Sequence, residues 1–423
     1  MRPALLTTTL AALTTAHSTH NAPNNAHNTT LPLSLQMAHS IIHRRDGIYT
    51  PGADSSGPLQ AGIVQKAFTQ LLTHYATHPS APQLSSYITA SADSLLPLFS
   101  TPVTNRNFSM DRFSPALTYL RLATSTNDTR YDTALGVLKH SLDANDRAPD
   151  GALWYYVYPS WAYLDGMYSL GPFAAAYTRR HDPGNASAWA DLGRQFGLLA
   201  EHCTVLAGEE GEGMLVHGYD ARGTAVWAGE RGQSPHVWGR SLGWYVLGLL
   251  ETLVELDEGG CDEGGPDKGG SDEGSSGVLA AEAQTLRDEL AARFCSIMAA
   301  VVIAADPTTG AWPLLPSSPH TPENYLESSG TAMFTWALLA GVRRGYLSDQ
   351  SYVAAATRAY SYLVGTFVRN AGNGTLGWGG TVGVCSLNSS ASYGYYTGRP
   401  LVADSVLGSA AFVGASLEVE MLG

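Results

Sequence analysis

The chain has 423 residues, 44% hydrophobic and 14% charged, with 24 Lys plus Arg against 37 Asp plus Glu and a formal charge of −13. That composition buries a sizeable core and is not the signature of disorder, and the charge argues against the extended basic footprint that nucleic acid or an anionic membrane surface requires. Four cysteines in such a chain exclude a disulfide scaffold, and no run of about 18 uninterrupted apolar residues marks a membrane span.

In chain order, Arg2, the apolar Ala4-Leu5-Leu6 and Leu10–Leu13, and the small residues up to Ala16 read as a signal peptide over 1–16. Residues 17–58 read as an N-terminal tail and lead-in, and 59–423 as one helical domain. Within the lead-in, His39 and His43 are four apart on a possible helix, but Ser40 stands where a zincin has Glu, so both are taken as surface residues. Periodicity then predicts helices over Ala61–His78, Ser85–Ser100, Ser114–Thr124, Arg130–Asn145, Ser160–Arg180, Ala186–Leu206, Trp238–Leu256, Val278–Ala305, Tyr325–Leu347, Gln350–Arg369 and Asp404–Leu422. In the tenth, Tyr352, Ala355, Ala356, Ala359, Tyr360, Leu363, Val364 and Phe367 fall on one stripe.

Sustained alternating strands are missing. Eleven or so helices that must hide their stripes against each other give an all-α fold, an α/α toroid of helical hairpins, and the lack of a fixed 30-to-45-residue period speaks against a solenoid. Asp257–Gly277 stands apart, with eight Gly, seven acidic residues and one Lys. The EF-hand spacing is absent, so it reads as a flexible solvated insertion.

Six N-x-Ser/Thr triplets, at Asn28, Asn107, Asn127, Asn185, Asn373 and Asn388, join the signal-like start in favouring secretion. Cys203, Cys261, Cys295 and Cys385 then allow up to two disulfides in three connectivities. None has the C-x-x-C spacing of simple zinc or redox sites.

The loops are dense in aromatics beside isolated polar groups. Trp154, Tyr155, Tyr156, Tyr158, Trp161 and Tyr163 crowd before Asp165, followed by His217-Gly218-Tyr219-Asp220, Trp227, the run Trp238–Trp244, and Tyr393–Tyr396. Each ring alone is best explained as core filling. Clustered beside Asp165 and Arg240 at Gly-rich helix ends, they suggest a carbohydrate cleft, since aromatic faces stack on sugar C–H faces. An acid among bulky rings is poorly solvated, which raises its pKa and suits Asp165 to donating a proton; the alternative is a helix cap. Asp111, in Met110-Asp111-Arg112-Phe113, is a second candidate, with an Arg112 ion pair or a cap as its alternative. Gly239-Arg240-Ser241-Leu242-Gly243 satisfies the G-x-S-x-G of serine esterases, but Gln233–Val237 is no strand, so Ser241 reads as structural, with glycines for close packing.

Taken in order, Met110-Asp111, Tyr158-Pro159 through Leu164-Asp165-Gly166-Met167-Tyr168, Gly171-Pro172-Phe173, His217–Asp220, Ser234-Pro235 with Trp238–Trp244, and Tyr325–Phe334 resemble glycoside hydrolase family 105, the unsaturated rhamnogalacturonyl and uronyl hydrolases. The resemblance covers roughly residues 60 to 422. It implies an α/α barrel of six hairpins with the cleft at one end. It also implies removal of a 4,5-unsaturated uronic acid from the non-reducing end of lyase-generated oligosaccharides of pectin or rhamnogalacturonan type. The double bond is hydrated, outside the usual two-carboxylate schemes, and no metal or cofactor is implied.

By position, Asp165 matches the family's general acid/base and Asp111 a second acidic residue near the double bond. His217, Trp238, Arg240 and Trp244 match the subsite for the unsaturated sugar, with Tyr158 and Tyr163 beside them. A planar guanidinium at Arg240 suits the sugar carboxylate. Tyr155, Tyr156 and Ser160 stand where the family often has His and Lys, and Tyr163 where it often has Trp, which leaves the preferred uronyl group open. The expected partner is an oligosaccharide, with no nucleic acid and no membrane, and the chain a monomer or weak oligomer. Competing readings are an inverting glycosidase using Asp111 and Asp165, a silent sugar-binding protein, and, more remotely, an esterase at Ser241.

Overall fold

Some helices of this chain are buried on every side and others on one stripe only; the architecture rests on that division. The computed structural model describes residues 31–52, 55–101, 108–257 and 281–423. The signal-like segment 1–16, the tail to residue 30, Asn28, Asn107, Cys261 and the acidic insertion beyond Asp257 lie outside them. The helices belong to the unit Pro32–Gly423.

In chain order they are α1 (Leu33–Arg44), α2 (Gly57–His74), α3 (Ala81–Leu95), α4 (Ala116–Thr126), α5 (Thr129–Asp143), α6 (Met167–His181), α7 (Ala186–Cys203), α8 (Gly239–Asp257), α9 (Ala281–Ile303), α10 (Ser328–Arg343), α11 (Ser351–Thr366), the short α12 (Tyr393–Thr397) and α13 (Val406–Glu420). In α8, α10 and α13 the runs Gly239–Leu256, Ser328–Gly341 and Val406–Glu418 are buried without interruption. Helices with no wet face belong inside. Packing traces an inner ring α2, α4, α6, α8, α10, α13, which closes where α13 meets α2. Outside it, α1 packs on α13, α3 on α2, α5 on α4, α7 on α6 and α9, α9 on α8, and α11 on α10. This is an α/α toroid of six hairpins, as expected.

The tightest inner pair is α6 with α8, and glycine explains the approach. A Cβ at Gly248 would lie 2.6 Å from the Met167 carbonyl oxygen, and one at Gly171 would lie 2.5 Å from Thr252 Oγ1. Neither position tolerates a side chain without parting the helices.

Three expectations change. The domain begins before residue 59, because Leu35, Ala38 and Ile41 of α1 are fully buried and α1 supplies the outer helix of the sixth hairpin. The helix expected from Ser160 begins only at Met167. Before it, Trp161–Tyr163 forms a strand, β1, antiparallel to β2 (Gly218–Asp220), with Tyr163 opposite Gly218. Ser160, at φ 68°, makes the turn into β1. The remaining strands are as short, β3 (Val368–Asn370) with β4 (Leu376–Trp378) and β5 (Thr381–Val382) with β6 (Leu401–Val402). Finally, His39 is only partly at the surface, whereas His43 is exposed. The Nε2 of His39 is buried, and burial, then His78, lowers its pKa.

Cys203, Cys295 and Cys385 are free thiols, so none of the disulfides that the sequence allows forms among these three. Of the triplets within the described residues, Asn127, Asn373 and Asn388 are exposed. Asn185 instead caps α7, its Oδ1 accepting from the Ala188 amide at 3.0 Å.

Candidate active site

Each inner helix is paired with an outer helix that returns the chain, so all six inner N-termini gather at one end. A cleft of about 190 Å³ opens there. It is lined by Ser55, Ser56 and Leu59 at the start of α2, Ser109 and Asp111 before α4, Asp165 before α6, Trp238, Arg240 and Trp244 at the start of α8, and Leu407 at the start of α13. Tyr155, Tyr156, Tyr158 and Tyr163 form one wall, and Val384, Cys385 and Ser386 another. Five of the six inner helices thus present N-terminal residues, with the positive end of their dipoles, to one small volume.

Local structure delivers the two acids. Ser109 Oγ accepts from the Asp111 amide and starts the 3₁₀ turn Met110–Phe113. Asp165 sits in the 3₁₀ turn Leu164–Gly166 directly after β1, and His217 sits directly before β2. The two-strand register places them side by side, with His217 Nε2 3.3 Å from Asp165 Oδ2. Gly166 has no Cβ because one would lie 2.6 Å from Met110 Sδ, which lets the two acid-bearing turns meet.

The acids have different surroundings. Asp111 accepts from Tyr155 Oη at 3.1 Å on both oxygens. Burial pushes it up to about 7, the charge of Asp165 adds to the rise, and hydrogen bonds from Ser109 and Tyr155 oppose it. Asp165, its side chain 11% exposed, accepts a short hydrogen bond from Ser241 Oγ on Oδ2. Arg112 makes no ion pair with Asp111. Its guanidinium donates to Ser141 Oγ, to the Phe108 and Ser109 carbonyls and to Asn145 Oδ1.

Of the eight residues picked out in the sequence, seven line the cleft: Asp111, Asp165, Tyr158, Tyr163, Trp238, Arg240 and Trp244. The eighth, His217, has no exposure and lies behind Asp165, not on the wall. Its Nδ1 is 2.7 Å from Tyr396 Oη. Tyr163 is stacked on Tyr155 with centroids 4.4 Å apart and planes 13° off parallel, and the edge of His217 meets it at 5.3 Å. Trp238 carries the Arg240 guanidinium 4.6 Å above its ring, and its buried indole N–H has no acceptor among the described residues.

Arg240 departs from its expected role. Its Nη1 donates to the Val382 carbonyl at 2.6 Å and its Nη2 to the Gly383 carbonyl at 2.8 Å. The fork expected to grip a carboxylate instead fastens the strand β5 and the wall after it. Glu327, the N-cap of α10, completes the clasp by accepting from the Val382 amide at 3.0 Å. The charge remains at the cleft, so an anion there feels the guanidinium and the helix ends together.

Sequence reasoning missed Ser241 and Tyr155 as partners of the acids, Tyr396 as partner of His217, and the Val384–Ser386 wall. Ser241 and Tyr155 lie inside the motifs already singled out; nothing local marks Val384–Ser386, which reaches the cleft only through the β5 clasp. The esterase reading falls, since no strand leads directly into Ser241, which lies in the first turn of α8. Cys385 supplies no nucleophile either, because burial pushes its thiol up to about 12 and keeps it protonated.

The profile of Glycosyl Hydrolase Family 88 matches residues 67–423. Among curated proteins, Protein Atu3128 of Agrobacterium fabrum is 28% identical over 206 residues, 46% of this chain and 77% of its own. The fold is shared with a family 105 glycoside hydrolase of C. acetobutylicum ATCC 824, at TM-score 0.73, 24% identity and coverage of 92% of this chain and 100% of that one. It is also shared with the unsaturated glucuronyl hydrolase of Bacillus sp. GL1, at TM-score 0.58, 13% identity and coverage of 92% and 95%. These likenesses agree with the group of hydrolases that the loops resemble. With most of its length matched and two acids meeting in a ring-lined cleft, the chain belongs to glycosyl hydrolase family 88 and is a glycosidase.

Proposed function

We propose that the protein removes a 4,5-unsaturated uronic acid from the non-reducing end of lyase-generated oligosaccharides, of the pectin or rhamnogalacturonan type, by hydrating the double bond. The observation that carries the reading is the coupled pair Asp111 and Asp165 in one aromatic-walled cleft at the converged helix N-termini. Hydration needs a proton delivered to carbon 4 and water added at carbon 5. The resulting hemiketal opens and releases the aglycone. Asp165 delivers to carbon 4 the one proton that the pair shares and takes another from the water that adds at carbon 5. With Asp111 raised to about 7, the pair keeps that proton and presents one negative charge instead of two to an anionic sugar. The rings of Tyr158 and Trp238 supply faces for the sugar, and Arg240 with the helix ends offsets its carboxylate.

Replacing Asp165 by Asn is expected to abolish the loss of ultraviolet absorbance that accompanies consumption of the unsaturated bond, while oligosaccharide binding persists. Full turnover by that variant would remove Asp165 from the mechanism. Release of saturated sugars by the wild type, with unsaturated ones untouched, would point instead to an inverting glycosidase. Secretion belongs to the same proposal, supported by the signal-like start and the exposed Asn127, Asn373 and Asn388; a mass unchanged by enzymatic deglycosylation of protein from its native source would count against it.

A further inference from the structure

We propose that Ser241 is a positioning residue that decides which oxygen of Asp165 exchanges a proton with the substrate; the inference rests on the hydrolase reading above. Ser241 lies in the first turn of α8, has no exposure and is not part of the cleft wall. Its hydroxyl donates to Asp165 Oδ2, while the other acceptor in reach, the His217 carbonyl, is at 3.4 Å. The same Oδ2 lies 3.3 Å from His217 Nε2, and His217 is itself held through Nδ1 by Tyr396 at 2.7 Å. Ser241, on α8, thus makes the hydrogen bond to that oxygen, and His217 Nε2 stands beside it without the geometry of a hydrogen bond. No side chain among the described residues hydrogen-bonds to Oδ1.

A carboxyl group rotates freely about its last torsion, which is broad and two-fold. Pinned at Oδ2, Asp165 leaves Oδ1 as the oxygen available to carbon 4 and to water. A hydrogen bond to the charged form also favours that form, so Ser241 would set how readily Asp165 gives its proton up as well as which oxygen carries it. The arrangement answers why a serine stands in a helix with no base to activate it: its hydrogen is given to a neighbouring acid and not to a reacting bond.

Three variants test this: Ser241→Ala, Ser241→Cys, which nearly preserves volume but donates weakly, and Ser241→Thr, which keeps the hydroxyl. Folding is checked by circular dichroism and melting. In substrate-free protein labelled at aspartate carboxyl carbons, an NMR titration should show the lower step of the pair rising by about one pH unit in the Ala and Cys variants. The upper step, that of Asp111, should stay in place. On an unsaturated disaccharide, the acidic limb of kcat/KM should move up by the same amount. kcat should fall roughly tenfold, with KM within about twofold, and Thr should restore both. Unchanged titration and unchanged pH limb in folded Ala and Cys variants overturn the proposal, as does a Thr variant that folds but behaves like Ala. A wild type inactive on every unsaturated substrate refutes the hydrolase reading instead, and the titration, which needs no substrate, then still decides the role of Ser241.

Discussion

At the residue scale, Asp111 couples activity and stability to pH. Its carboxyl is raised from 3.8 to about 7 by burial first and by Asp165 second. Between those values the folded chain keeps a proton that the unfolded chain has released, so stability declines as pH rises through that window and levels off above it. Activity that needs the singly charged pair should fall as pH passes about 7. Asp111→Asn retains an acceptor for Tyr155 but cannot titrate; its melting temperature should gain on the wild type as pH increases from 5 to 8. Equal differences at both ends would show that Asp111 ionises normally. Arg240 yields the opposite kind of test. Truncating it to Ala strands the Val382 and Gly383 carbonyls, at a cost of about 2–5 kcal/mol. The melting temperature should drop and KM rise together as the wall loosens, whereas a raised KM with unchanged stability would restore the direct carboxylate role read from the sequence.

Among elements, α6 shows how a local defect is repaired from a distance. Pro172 lies inside that helix and has no N–H, so the Tyr168 carbonyl loses its partner four residues on. Lys66 of α2 supplies the missing donor, its Nζ 2.9 Å from that oxygen and 3.7 Å from the centre of the Tyr168 ring. Burial lowers the lysine to about 8, with Glu251 and Glu255 opposing the fall. Tyr168 in turn packs against Trp244 with centroids 4.7 Å apart, so the repair lies under the cleft floor. Lys66→Met should cost about 1–3 kcal/mol, and adding Pro172→Ala should recover much of it by returning an amide to the helix. Strictly additive effects in that double-mutant cycle would mean that the lysine does not serve this carbonyl.

For the whole molecule, ring closure depends on α1, a helix that lies outside the domain bounds read from the sequence. Ser34 at its start donates through its amide to Glu420 Oε1 at 3.0 Å and through its hydroxyl to Oε2 at 2.5 Å, and Tyr75 joins the same carboxylate at 2.9 Å. α1, α2 and α13 are thereby knotted at the seam where the first and last helices meet. Placing a charge at Ile41, which is fully buried, should open that seam and abolish the single cooperative thermal transition. A sharp transition near the wild-type temperature would show that the barrel closes without α1. The toroid also shows how a chain of charge −13 can receive an anion: its inner helices are parallel, so their dipoles add at the cleft irrespective of the charge elsewhere.

What the sequence determined by itself was whatever a short window can carry. Helical stripes, the absence of sustained strands, the order of the loop motifs and the acids Asp111 and Asp165 are legible because helix periodicity and motif spacing are local. The stripe of α1, Leu35, Ala38 and Ile41 between Ser34, Gln36, His39 and Ser40, is local too, but only α13 reveals what it faces and that it belongs to the barrel. Tertiary structure alone decided the directions of side chains whose partners are remote in the chain: Arg240 turned to carbonyls 142 and 143 positions away, His217 to Tyr396 across 179, and Ser241 to Asp165 across 76. A guanidinium, an imidazole or a hydroxyl has the same chemistry wherever it stands. Which acceptor it meets depends on how the ring closes, and closure is a property of all six hairpins at once.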